Sequence, residues 1–140
     1  PPPPPGVSMP QVSLLATIVG ALAGFVLGGL WYGPLFGKAW MAEHGYTEGE
    51  LAKDFNPAKA YGLMFVLALL ASYVFGAFLG PDVTPMFGAS AGAAAGLFWV
   101  SGSIATNYLF ERSSLRLWLI NGGYHTVRFT LIGLAFGLLG

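Results

Sequence analysis

Long apolar stretches alternate with short polar segments along the 140-residue chain. The first charged residue is Lys38, and a polar cluster then extends to Lys59, after which only Asp82 interrupts the next two apolar stretches. A helix needs about 20 apolar residues to cross roughly 30 Å of bilayer hydrocarbon. The pattern therefore predicts an all-α, four-helix transmembrane bundle as one domain over residues 12–140. The expected spans are 12–32, 58–79, 87–110 and 116–139.

The segments outside these spans also carry signals. Residues 1–11 begin with five prolines and are predicted to form a proline-rich extracytoplasmic arm. The first loop contains a short helical pattern, Pro34–His44, of the kind that lies flat at the headgroup level. Trp31, Tyr32 and Trp40 are expected to belong to an interfacial aromatic belt there, because amphipathic rings favour the membrane–water boundary.

Polar residues with helix-capping character mark where several helices begin. Asn56 followed by Pro57 predicts the start of the second span, because Pro is well tolerated at the first helical position. Ser113 or Ser114 can cap the fourth span, and Thr47 has the spacing of a capping box for a second short turn in the first loop.

The composition narrows the class of protein. Charged residues make up 9% of the chain and hydrophobic residues 55%, with a formal net charge of zero. Neutrality argues against a nucleic-acid partner, and the lack of cysteine removes disulfides and thiolate metal sites. No zinc-protease, phosphate-loop or serine-hydrolase motif is present, so we expect a protein that is not an enzyme.

Basic residues are distributed asymmetrically between the loops. Lys38, Lys53 and Lys59 lie in the first loop and Arg112 and Arg116 in the third, whereas the second loop has none. The positive-inside rule places basic loops in the cytoplasm. We therefore expect loops one and three to be cytoplasmic and both termini to be extracytoplasmic.

Glycine recurs at every fourth position in the first and third spans. Close van der Waals contact drives helix association in lipid, and small residues permit it. The predicted packing ridges are Gly20, Gly24 and Gly28, and Gly88, Gly92 and Gly96. Residues 20–31 and 88–99 also share six of twelve positions. Either two parallel helical hairpins arose by duplication, or small-residue faces resemble each other through composition.

The fourth span alone carries ionisable side chains at depth. Asn121, His125 and Arg128 share one helical face, with Tyr124 beside them. A central arginine costs at least about 2.5–3.5 kcal/mol to insert, and the four spans contain no Asp or Glu. Arg128 is then expected to pair with an anion from outside the chain, such as a carboxylate of a partner subunit, a lipid phosphate or a bound ligand. Alternatively, tyrosine hydroxyls, helix carbonyls and water saturate it.

Spans three and four form a tight hairpin, so residues equally far from the loop between them are expected to lie at the same depth and to meet. Counting residues from that loop places Arg128 near Trp99, whose ring would offer a cation–π contact. The same counting brings His125 opposite Ser101 or Ser103.

Two stretches resemble a known family. Gly28–Trp40, with the string W-Y-G-P-L-F-G-K-A-W, and Leu115–Tyr124 are similar to bacterial membrane proteins grouped as domain-of-unknown-function family 1761. The resemblance extends from about Val12 onward. It implies a small four-helix inner-membrane protein of unassigned activity, and it transfers no catalytic role to any residue.

Three functions fit these features. The first is a non-catalytic accessory subunit that docks within the bilayer onto other membrane subunits, for which a photosynthetic or respiratory complex is a natural host. The second is a self-associated transporter or carrier with a polar path at Asn121, His125 and Arg128. The third is tetrapyrrole binding at His125, and no other cofactor is required by the sequence.

Overall fold

The computed structural model describes residues 11–140, so the proline-rich arm predicted for residues 1–11 lies outside the described residues except for Gln11. The described part is helical and contains no strand, which confirms the all-α prediction. Its α-helices are α1 (Leu14–Leu30), α2 (Gly37–His44), α3 (Glu48–Ala52), α4 (Pro57–Leu79), α5 (Pro85–Ala94), α6 (Gly102–Glu111) and α7 (Leu115–Leu139). A π-helical turn, Trp31–Leu35, extends α1, and a second one, Ala95–Ser101, joins α5 to α6.

The predicted capping residues begin the helices. The side chains of Thr47, Asn56 and Ser114 each accept the backbone N–H three residues ahead, and Pro57 occupies the first helical position of α4. These bonds satisfy donors that a helix N-terminus otherwise leaves free. The short helix predicted from Pro34 begins later, at Gly37, because Pro34 lies inside the π-helical extension of α1.

Three helical stretches within residues 11–140 are long and apolar enough to cross a membrane. They are Leu14–Leu35, Pro57–Leu79 and Pro85–Glu111, which correspond to the first three predicted spans. The helix of the fourth predicted span, α7, has 25 residues but is not among them. Its polar residues lower its hydropathy relative to the other three.

Helix α7 lies at the centre of the packing. It contacts α1 on one side and α5 on another, whereas α4 packs mainly on α1. Side chains from α1, α4, α7 and the second π-helical turn form the buried cluster Ala16, Phe75, Ala95, Phe129, Ile132 and Phe136. The most polar of the long helices is therefore also the one most enclosed by its neighbours.

The second glycine ridge brings the backbones of α5 and α7 into direct contact. A Cβ added at Gly88 would overlap the carbonyl oxygen of Gly133, and one added at Gly92 would overlap that of Phe129. Neither carbonyl can retreat without moving α7. Glycine is thus required on this face by the helix–helix distance.

The first glycine ridge faces the same central helix, but it receives side chains. Gly24 and Gly28 lie against Arg128 and Tyr124 of α7, and Gly20 lies against both Ser72 of α4 and Ile132 of α7. The opposite face of α1 presents exposed apolar side chains at Leu14, Ile18, Leu22, Val26 and Leu30. Both ridges therefore contact α7, and the first also contacts α4 at Ser72.

The pairing of α5–α6 with α7 differs from the one obtained by residue counting. A Cβ at Gly96 would lie 2.7 Å from the carbonyl oxygen of His125, so Arg128 lies opposite the residues before Gly96 and not opposite Trp99. Trp99 is 66% exposed on the outer surface. The π-helical turn Ala95–Ser101 is one physical reason, because a wider turn takes up more residues per unit length than the assumed continuous α-helix.

We predict that Gly92→Ala destabilises the fold by about 1–3 kcal/mol, because the added methyl group overlaps the α7 backbone. Gly62→Ala in α4 is the matched control, since a Cβ there meets nothing within 4 Å. It should be neutral or stabilising by up to about 1 kcal/mol through helix propensity. Circular dichroism during denaturation of the purified protein in detergent measures both. Equal stability of the two variants would contradict the packing described here.

Candidate functional site on helix α7

Arg128 is held between α7 and α1. Its aliphatic stem covers Gly24, where an added Cβ would lie 2.7 Å from the Arg128 Cγ. Its Cζ atom lies 4.6 Å from the centroid of the Phe129 ring. The cation–π contact predicted with Trp99 is therefore wrong, and Phe129 provides it instead.

The guanidinium lacks a full set of partners. Its Nε atom is buried and has no hydrogen-bond partner within residues 11–140. The helices α1, α4, α5 and α7 contain no Asp or Glu. A contact with one phenylalanine ring is worth about 0.5–2 kcal/mol, which does not replace the hydrogen bonds and counter-charge that a guanidinium needs when it is partly withdrawn from water.

His125 lies one turn before Arg128 and is also incompletely bonded. Its ring packs edge-to-face on Tyr124, with 5.0 Å between centroids, and its Nδ1 atom is buried without a hydrogen-bond partner among the described residues. The expected pairing with Ser101 or Ser103 is wrong, because the Ser101 hydroxyl donates to the Gly122 carbonyl at 2.7 Å and the Ser103 hydroxyl donates to the Trp99 carbonyl. His125 and Arg128 thus both present polar atoms that the described part of the chain does not satisfy.

Asn121, by contrast, has hydrogen-bond partners on two other helices. The Tyr32 hydroxyl donates to its Oδ1 at 2.6 Å, and its Nδ2 donates to the Tyr108 hydroxyl at 2.6 Å. These two hydrogen bonds link the end of α1 to α7 and α7 to α6. Sequence reasoning missed Tyr108, since nothing in the pattern of an apolar span distinguishes a tyrosine that reaches a neighbouring helix from one that faces outward.

The predicted belt aromatics turn toward α7. The Trp31 indole N–H donates to the Ile120 carbonyl at 2.8 Å. The Tyr32 ring contacts Tyr124 at 5.3 Å between centroids, and Trp40 contacts Tyr32 at 6.3 Å. All three side chains are half-buried. They connect the first loop to the central helix, a role that amphipathicity alone did not reveal.

The family of this chain is identified by its match to a known protein family. Residues 15–137 match the family described as Protein of unknown function (DUF1761). The chain belongs to this family. The DUF1761 match covers both stretches in which the resemblance was noted, and the family description names no activity. No curated protein and no solved structure matches the chain.

Metal binding receives no geometric support in the described part of this DUF1761 protein. Within residues 11–140, no three or more His, Asp or Glu side chains are close enough together to hold a metal ion. The candidate site is therefore the α7 face itself, with Arg128 and His125 as its unsatisfied groups and Asn121 and Tyr124 as bonded neighbours.

We predict that Tyr124→Phe lowers the free energy of unfolding by about 0.5–1.5 kcal/mol, the usual net value of a hydrogen bond. The Tyr124 hydroxyl donates to the Gly24 carbonyl at 3.0 Å in a buried position. Tyr73→Phe on the exposed side of α4 is the control and should change stability little. Denaturant titration in detergent checks both, and a Tyr124→Phe variant as stable as the wild type would contradict the role assigned to this bond.

Proposed function

We propose that this DUF1761 protein is a non-catalytic membrane subunit, a four-helix transmembrane bundle that docks through its α7 face onto a larger membrane assembly. The observation that carries the proposal is the Nε atom of Arg128, which is buried without a hydrogen-bond partner among residues 11–140, in a side chain that is itself half-buried. Intramembrane ions are expensive and generally meet a partner. The partner proposed here is a carboxylate of another subunit within the bilayer.

The length of α7 supports its assignment as the fourth span. At 1.5 Å per residue, its 25 residues extend about 37 Å, which exceeds the hydrocarbon thickness. Arg128 then lies about 20 Å from the first residue, near the middle of the bilayer. The lower hydropathy of α7 is compatible with spanning because α1 and α5 cover much of its surface.

Other buried polar groups form hydrogen bonds between helices, which supports a docking function over a catalytic one. The buried hydroxyls of Ser72 and Ser101 bond the carbonyls of Thr17 and Gly122, at 2.9 and 2.7 Å. These are structural bonds between helices. Arg128 differs from them because the helices α1, α4, α5 and α7 contain no carboxylate that could pair with its guanidinium.

We predict that Arg128→Leu weakens co-purification of partner subunits after extraction in mild detergent, because it removes one member of an ion pair buried at the interface. Breaking such a pair typically costs about 3–5 kcal/mol, which corresponds to at least a hundredfold loss of affinity. Arg116→Leu is the matched control on the same helix, since Arg116 is exposed at its start. Label-free quantification of partners retained on the tagged protein is the measurement.

Two outcomes would contradict the docking proposal. One is migration of the wild-type protein as a lone 14.7-kDa species from native membranes. The other is proton or anion flux into liposomes containing this protein alone, abolished by Arg128→Ala, which would favour the carrier function over docking. An absorption band of a tetrapyrrole in the purified protein would similarly favour ligation at His125.

The proposed topology has loops one and three in the cytoplasm and both termini outside it, as the distribution of basic residues predicts. The chain has no cysteine, so single cysteines report each side without background labelling. In intact spheroplasts of an expressing bacterium, a membrane-impermeant maleimide should label Pro81→Cys and should label Gly49→Cys only after permeabilisation. Both positions are exposed. The reverse pattern would invert the proposed orientation.

A further inference from the structure

A large cavity lies at one end of the bundle, and Arg128 is not among the residues that line it. Its volume is about 950 Å³, which is in the range of small-molecule sites. The π-helical end of α1 and the start of α4 form its sides, α2 and α3 cover it, and Asn121 and Tyr124 of α7 lie at its base. It lies on the side of the first loop, where the aromatic residues of that loop meet α7.

The lining determines which charge a ligand can carry. None of the described residues around the cavity is an Asp, Glu, Lys, Arg or His. A phosphate or carboxylate there would lose its hydration without gaining a counter-charge, which strongly disfavours its binding. The cavity therefore suits an electrically neutral molecule.

The walls indicate the shape of the ligand. On α1, Gly29 leaves the cavity wall without a side chain, since a Cβ there would meet nothing within 4 Å, and the aromatic side chains of Phe25 and Tyr61 lie at the same cavity. Open space at a glycine beside aromatic rings accommodates a flat ring system. Met64 adds a flexible apolar surface that adapts to an alkyl or isoprenoid chain.

The base of the cavity supplies directional hydrogen bonding. Asn121 uses one amide hydrogen to reach Tyr108, and an amide nitrogen carries two. The Tyr32 and Tyr124 hydroxyls donate to Asn121 and Gly24, which leaves their oxygens able to accept. The base can therefore donate to a carbonyl oxygen and accept from a hydroxyl.

We propose that this cavity binds a neutral amphiphile of the isoprenoid-quinone class, with its oxygen-bearing ring near Asn121 and Tyr32 and its tail leaving between the apolar walls toward lipid. The uncharged lining indicates a neutral ligand. The open space at Gly29 and the aromatic walls indicate a planar ring, and the hydrogen-bonding capacity of the base indicates oxygens on that ring. The inference is independent of the docking role of Arg128, because that residue does not line the cavity.

The test uses the full chain purified in detergent and decylubiquinone as the probe. Quinones quench tryptophan fluorescence on contact, and Trp40 lines the cavity. We expect saturable quenching by the wild type. Gly29→Leu should weaken binding at least about tenfold, because the new side chain fills the cavity from a position where a Cβ meets nothing within 4 Å.

Gly62→Leu is the matched control. Gly62 is likewise exposed on a helix with nothing within 4 Å of an added Cβ, but it does not line the cavity. It should bind decylubiquinone as the wild type does. Should Gly29→Leu lose its helical circular dichroism spectrum, Met64→Trp fills the same space from the α4 side and is expected to give the same loss of binding.

Tyr32→Phe tests the hydrogen-bonding groups at the base of the cavity without filling its volume. Removal of one neutral hydrogen-bonding group should weaken decylubiquinone binding about three- to tenfold. The proposal is overturned if quenching does not saturate, if Gly29→Leu retains wild-type affinity, or if Gly62→Leu loses affinity equally. Displacement of the quinone by an equal concentration of phosphatidylglycerol would also overturn it, because the cavity would then accept any lipid chain.

Discussion

The close backbone contact between α5 and α7 is the constraint on which the rest of the structure depends. Gly88 and Gly92 allow the carbonyls of Gly133 and Phe129 to approach to a distance that any side chain would prevent. In lipid, such contact replaces the hydrophobic driving force that is absent between apolar helices. It fixes α7 from one side and leaves the other side to α1.

This central position explains why α7 can be the polar helix. The aliphatic part of Arg128 packs in the space left by the missing side chain of Gly24, and the Tyr124 hydroxyl donates to the Gly24 carbonyl. Helix α4 approaches α7 chiefly at its far end, where Gly76 receives the ring of Phe136. Near its start, α4 instead lines the large cavity covered by the short helices of the first loop. The same packing thus produces both an unsatisfied cation and an apolar cavity.

Much of the fold could be predicted from the sequence because its signals are local. Apolar length, caps such as Asn56 and Ser114, and the four-residue spacing of glycine each depend on neighbouring positions only. The pairings across helices could not be predicted in the same way. Counting from a loop assumes uninterrupted α-helices, and the π-helical turn Ala95–Ser101 breaks that assumption, which misplaced Trp99 beside Arg128.

The candidate site was only partly predictable for a related reason. The sequence identified Arg128 and His125, since polar residues in an apolar helix are conspicuous. It did not identify Phe129 as the ring beneath the guanidinium or Tyr108 as a partner of Asn121, because these contacts depend on the angle at which helices meet. The cavity likewise is enclosed by residues from α1, α4, α7 and the short helices of the first loop, which are far apart in the sequence, so no local pattern predicts it.

The most direct measurement of the central claim is a structure, at side-chain resolution, of the protein extracted from its native membrane together with its bound subunits. The account predicts a carboxylate of another polypeptide within about 4 Å of the Arg128 guanidinium. A guanidinium that contacts only a lipid phosphate, water or oxygens of its own chain would contradict it.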